Sequence, residues 1–226
     1  MNLNEPVDFS SPYYPYRRIV NGVVMKGAEL IPYKIMRYLL DLPDSAGYIP
    51  ADDNDRPRVR LMKHLFYDCA APLSQPLPTP EEKLSILFDP EHPDINSDEQ
   101  KAKHPKGYRM YTQRNVAQSL LEAKTLLKIY PGRILDPTDF RAIIGFQAEI
   151  WTSPNLHSNT RTTERDRVFD IECALRDSLD NVDMAGVGCI KFSRNDGSYN
   201  GSEVIFAENG MCGRVVYFST AWMGNT

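Results

Sequence analysis

The chain has 226 residues, 42% of them hydrophobic and 25% charged, a globular balance that supplies a sizeable core. Its formal net charge of −4 leaves no basic excess to drive nucleic-acid binding by phosphate neutralisation, or to hold the chain on an anionic membrane. The opening Met-Asn-Leu-Asn-Glu-Pro lacks the basic start and apolar run of a signal peptide. No stretch approaches the roughly 18 apolar residues of a membrane span, so a cytoplasmic chain with no membrane partner is expected.

Residues 1–18 are rich in proline and aromatics: Phe9, Tyr13, Tyr14 and Tyr16 lie among Pro6, Pro12 and Pro15, followed by Arg17 and Arg18. Proline forbids a continuous helix here. The segment reads as an extended arm, folded on its own domain or docked on a neighbouring subunit. Phe9, Tyr13, Tyr14, Tyr16, Arg17 and Arg18 are the candidate interface residues. Ile19–Met25 reads as a short strand with an Asn21-Gly22 turn. After Pro32, the spacing of Ile35, Met36, Leu39 and Leu40 predicts a short amphipathic helix. A loop over 43–57 carries the acids Asp52, Asp53 and Asp55. A second helix is predicted over 58–67, with Val59, Met62, Leu65 and Phe66 on one side.

Pro72, Pro76, Pro78 and Pro80 mark a stiff connector. Thr79-Pro80-Glu81-Glu82 has the features of a helix start: a capping threonine, then proline, then acids in the first turn. That helix closes at Asp89-Pro90, and residues 89–107 read as a polar surface loop. Residues 125–135 predict a strand reaching a turn at Pro131-Gly132. Residues 140–152 alternate as a half-buried strand. A helix over 162–179 places Val168, Ile171, Leu175 and Leu179 on one apolar stripe, with Arg165, Asp166, Arg167, Asp170, Arg176 and Asp177 as its charged surroundings. Strands follow over 187–193, 203–207 and 214–222. The expected fold is α+β: a C-terminal, mainly antiparallel sheet over 108–226 with one helix on a face. It follows a loop-rich region over 19–107 with short helices, and the arm over 1–18.

The candidate chemistry is thin. Gly186-Val187-Gly188 begins like a dinucleotide fingerprint. It lacks the third glycine and enters a strand, whereas a phosphate loop must deliver phosphate to a helix N-terminus. The glycines read as a helix-to-strand turn that uses glycine's permissive backbone. Asp52-Asp53-Asn54-Asp55 is followed by Arg56-Pro57-Arg58 and not by a calcium-loop glycine and distal glutamate, so it reads as a solvated, self-neutralising loop. Asp136 and Glu149 invite a metal-nuclease reading, but Trp151 stands where such a site places a lysine. His64, His92, His104 and His157 have no metal-ligand spacing. Cys69, Cys173, Cys189 and Cys212 form no CxxC pair and read as buried thiols acting as small hydrophobes in a reducing compartment. Arg56, Arg58, Arg60 and Lys63, with Lys101, Lys103 and Lys106, read as solvated basic faces. The expectation is no catalytic, cofactor-binding or metal site, and no enzyme.

From Tyr108 to Trp222 the order of elements is distinctive. Strands ending in Gly-Phe-Gln-Ala-Glu-Ile-Trp lead to the helix Arg165-Asp166-Arg167-Val168-Phe169-Asp170-Ile171-Glu172. Val182-Asp183-Met184-Ala185-Gly186-Val187-Gly188 then enters the last strands. This layout resembles the small α+β proteins that complete bacteriophage necks and tails, the tail terminators above all. The resemblance is one of pattern over about half the chain. It implies a structural virion protein, assembled in the host cytoplasm, whose partners are further copies of itself in a ring and other neck or tail proteins. Contact with packaged DNA would be non-specific. The competing reading is a cytoplasmic enzyme or binding module whose active site carries no motif.

Overall fold

A computed structural model describes residues 30–113, 124–135, 141–157, 166–192, 201–207 and 210–223. The arm, with Phe9, Tyr13, Tyr14, Tyr16, Arg17 and Arg18, and the strand expected over 19–25 lie outside the described residues, as does Asp136.

Among the described residues four α-helices precede the sheet, and the first three carry a proline in their first turn. In α1 (Ile31–Leu39) and α2 (Pro57–Phe66), Pro32 and Pro57 occupy the first turn, where their missing N–H costs nothing. In α3 (Pro80–Ser85) the capping box forms as read: the Glu82 amide donates to Thr79 Oγ1, and the Thr79 amide donates to Glu82 Oε2 at 2.8 Å. The 89–107 stretch is not all loop. It contains a short helix, α4 (Asp98–Lys103), with the Gln100 amide donating to Ser97 Oγ at its N-terminus. That helix buries nothing, so no apolar periodicity announced it.

The sheet has seven strands: β1 (Met110–Tyr111), β2 (Thr125–Leu135), β3 (Arg141–Thr152), β4 (Asp183–Met184), β5 (Gly188–Lys191), β6 (Ser202–Phe206) and β7 (Cys212–Met223). Their order is β1-β2-β3-β7-β5-β4. β6 also pairs with β7, along Cys212–Val216, while β5 takes Ser219 and Thr220. All pairings are antiparallel except β1 with β2. A one-turn helix, α5 (Pro154–His157), and the long α6 (Arg167–Leu179) connect β3 to β4. The fold is therefore α+β with its sheet in the C-terminal part.

The chain does not turn at Pro131-Gly132. Strand β2 runs through to Leu135, and the register shifts from Pro131↔Phe146 to Ile134↔Ile144. Three residues on β2 thus span two on β3, which is a bulge. A bulge is where a proline without an N–H is tolerated within a sheet.

Period-two alternation gives the sheet two buried faces. Leu127, Ile129, Phe146, Ala148, Ile150, Val216 and Phe218 face the helices, meeting Ile35 and Leu39 of α1, Met62 and Leu65 of α2, and the predicted stripe Val168, Ile171, Leu175 and Leu179 of α6. One core thus draws on residues from both sides of position 107. Tyr108, Tyr111, Leu126, Trp151 and Met211 form a smaller cluster on the other face. At the centre of that face Gly213 pairs directly with Trp151. A Cβ on Gly213 would lie 2.1 Å from the Ile150 carbonyl oxygen, a clash with backbone that no rotamer relieves. Gly213→Ala is expected to lower the unfolding free energy by roughly 3 kcal/mol, the upper end of overpacking costs. Urea denaturation measures it, and a loss under about 0.5 kcal/mol would show that the strands separate freely here.

Candidate functional site

The cations of α2 point inward and not to solvent, correcting the reading of a basic face. Arg58 reaches Asp41 Oδ1 at 2.8 Å, Lys63 reaches Asp52 Oδ1 at 2.6 Å, and Arg60 reaches Asp170 Oδ1 at 3.1 Å. One turn beyond Arg60, His64 Nε2 lies 2.6 Å from Asp170 Oδ2. The helix period places Arg60 and His64 on one face, so a single α6 carboxylate takes both. Asp41 sits just beyond α1 in the left-handed region, at φ 50°, a conformation aspartate tolerates better than most residues. Its buried carboxylate also accepts the Tyr48 hydroxyl, and its carbonyl accepts Lys83 Nζ at 3.0 Å. Arg56 hydrogen-bonds the same Tyr48 hydroxyl. The acidic loop is solvated, as expected, at Asp53 and Asp55, while Asp52 is tied to Lys63 and accepts the Leu77 amide at Oδ2.

Arg167, expected on the charged rim of α6, is fully buried at its first turn. Its guanidinium donates to the carbonyls of Tyr67 and Cys69 and to Thr125 Oγ1, joining α6 to the end of α2 and the start of β2. Burial lowers its pKa from the ordinary value, against the raising pull of the Cys69 and Asp68 charges. An arginine nevertheless stays protonated, so the carbonyl oxygens carry the cation. Arg109 makes a bidentate pair with Asp68 at 2.7 and 2.6 Å. On the opposite sheet face Trp151 Nε1 donates to Glu149 Oε2 at 2.9 Å and Tyr130 to Glu149 Oε1. The tryptophan that displaced a nuclease lysine thus binds the carboxylate itself. Lys128, the cross-strand partner of Glu149, is buried, and desolvation lowers its pKa against the pull of Glu149.

The other sequence candidates stay apart. The glycine run forms the β4–β5 hairpin, with Gly186 at φ 68° and Gly188 at φ 88°. A turn forms there, but it joins two strands and not a helix to a strand, because Asp183 and Met184 pair with Cys189 and Gly188. The four cysteines form no disulfide with one another and are half-buried, not buried as expected. His104 donates through Nδ1–H to the Ser85 carbonyl at 2.7 Å, and Lys103 pairs with Glu99. Asp89, Glu91 and His92 offer ligand atoms within 4.8 Å of one another. They lie at the surface, and His92 Nδ1 is already 2.9 Å from Asp89 Oδ2. Among the described residues no helix is long and apolar enough to cross a membrane.

Two surface features carry no sequence motif. Along β6, Val204 is 56% and Phe206 77% exposed, on the helix side of the sheet. Arg214, the cross-strand partner of Val204, lies over the Phe169 ring, itself 40% exposed. The Ala207 amide donates to the Met211 carbonyl and the Tyr217 amide to that of Gly201. By ladder alternation the N–H and C=O of Ser202, Val204 and Phe206 point away from β7, and β6 has no other described strand partner. The second feature is a cleft of about 290 Å³ between the 43–52 and 76–83 segments, walled by Pro43, Pro50, Pro76 and Pro78 with Ile49 and Leu77.

His64 offers a test of the charge network. Burial pushes its imidazole below the ordinary 6.5, against the raising pull of Asp170. The ring is therefore neutral at pH 7, Nε2–H donating to Asp170 and Nδ1 left without a partner. The unfolded chain binds the proton more readily, so this contribution to stability is present above the unfolded pKa and lost as pH falls below it. The stability of the wild type relative to His64→Gln is expected to fall between about pH 7.5 and 5.5. Thermal melts measure it, and a difference independent of pH would show that His64 does not titrate in this window.

The chain matches no protein-family model and no curated protein.

Proposed function

We propose that the chain is a structural component of a bacteriophage virion, a tail-terminator-like ring protein of the neck or tail that binds further copies of itself. The observation that carries this reading is the β6 edge, which has no partner beyond β7 among the described residues, with Val204 and Phe206 exposed on it. A solitary chain blunts such an edge with lysine, proline or a covering loop, because unpaired N–H and C=O groups beside apolar side chains recruit other chains. Ser-Glu-Val-Ile-Phe has one charge and no proline. An assembly protein has a use for this surface.

The buried ionisable groups support the same reading. Asp41, Asp170, Lys63 and Arg109 are spent on partners within the chain. The two titratable side chains that line the cleft, Asp52 and Lys83, are likewise held by Lys63 and by the Asp41 carbonyl. The α+β order of sheet and helix is the layout on which the tail-terminator resemblance rests.

Native mass spectrometry of the purified full chain, with negative-stain imaging, tests the proposal. The expected result is a closed ring of one stoichiometry. A monomer at every concentration measured would overturn it.

A further inference from the structure

The cleft between the 43–52 and 76–83 segments has apolar walls and one lining cation, Lys83 of α3. Only 2% of Lys83 is exposed. Its ammonium carries three N–H donors, and among the described residues the Asp41 carbonyl, at 3.0 Å, is its one partner. The Asp41 carboxylate is engaged elsewhere, with Arg58 at 2.8 Å, Arg56 at 3.7 Å and the Tyr48 hydroxyl at 2.9 Å. Asp52, the other charged residue of the cleft, gives its two oxygens to Lys63 and to the Leu77 amide. A buried cation met by a single carbonyl is a costly arrangement. Desolvation accordingly lowers the Lys83 pKa, against the raising pull of Asp41. An anion arriving beside it removes that penalty.

We propose that the cleft is a binding site for a small monocarboxylate with an apolar body, its carboxylate held by Lys83 and its body laid against Ile49 and the prolines. The site lies within one chain and is independent of ring formation.

The donors on the 76–83 wall select the head group. Pro76, Pro78 and Pro80 have no N–H. The Leu77 amide donates to Asp52, the Thr79 amide to Glu82, and the Lys83 amide to the Thr79 carbonyl. Of the lining residues on that wall, the Lys83 ammonium and the Thr79 hydroxyl are left to donate. A phosphate dianion asks for a cradle of backbone amides, which this wall does not supply. A carboxylate, with one charge, is met by an ammonium and a hydroxyl. The rest of the cleft selects an apolar body. Ile49 on the rim is 77% exposed and gains burial beneath it. At about 290 Å³ the cleft lies at the small end of ligand sites, so the body is short. The site is also preformed. Its prolines fix the backbone, and Leu77 N to Asp52 and Tyr67 to the Pro76 carbonyl, each at 3.0 Å, tie its floor. Little entropy is lost when a ligand enters such a socket.

Saturation-transfer NMR titrations of the full chain at pH 7 test the site with three probes of one length: hexanoate, 1-hexanol and hexylammonium. Hexanoate is expected to bind at least about tenfold more tightly than the alcohol, and hexylammonium more weakly than either. Lys83→Met keeps the buried stem and removes the charge, and is expected to bind hexanoate no better than hexanol. Ile49→Asp alters an exposed rim residue and is expected to weaken hexanoate by at least about tenfold with wild-type melting, so it decides the matter even if Lys83→Met does not fold. Hexanoate that binds no better than hexanol to the wild type would overturn the proposal. So would hexanoate affinity unchanged in Ile49→Asp, or a preference for hexanoate that persists in folded Lys83→Met. A monomeric wild type that binds hexanoate as expected would refute the ring reading and leave this site standing.

Discussion

The Asp170 carboxylate is buried between α2 and α6 and is held by Arg60 and His64. Burying a carboxylate is costly unless cations and hydrogen bonds meet it. That requirement fixes the azimuth of both helices. Once Arg60 and His64 face α6, the helix period turns Met62 and Leu65 toward the sheet and aims Lys63 at the acidic loop. The N-terminal helices are in this way fastened to the C-terminal sheet, and the apolar core between them fills in. Arg167 fastens the same corner from the other side, through carbonyls of the segment that leaves α2. The residues that composition presents as a basic face are consumed in this internal arrangement.

Much of the architecture was legible because it rests on local signals. Prolines at helix starts, the Thr79 capping box and the four-residue stripe of α6 each express backbone geometry within a few neighbours. The elements they predict are present. The turn at Pro131 failed because a bulge satisfies proline as well as a turn does, and only the register with β3 distinguishes them. α4 went unread because a helix with no buried face leaves no periodic trace.

The charge network was illegible for a different reason. Arg60 and Asp170 are 110 positions apart, and nothing in the local pattern tells a buried arginine from a solvated one. Arg167 was read among surface charges for the same reason. The surface features share this property. Phe206 looks like any apolar residue of a strand, and becomes informative only when its strand is known to be the last of the sheet. The prolines of the cleft were read as a connector, and their role as walls needs the 43–52 segment opposite.

The most direct measurement is therefore a double-mutant cycle between Arg60→Ala and Asp170→Ala, followed by urea denaturation at neutral pH. Asp170→Ala alone is expected to cost roughly 3–5 kcal/mol, because it strands a buried guanidinium and imidazole. The pair is expected to be coupled by about 1–3 kcal/mol. Additive losses, with coupling under about 0.3 kcal/mol, would contradict the account and show that apolar packing alone sets the corner between α2 and α6.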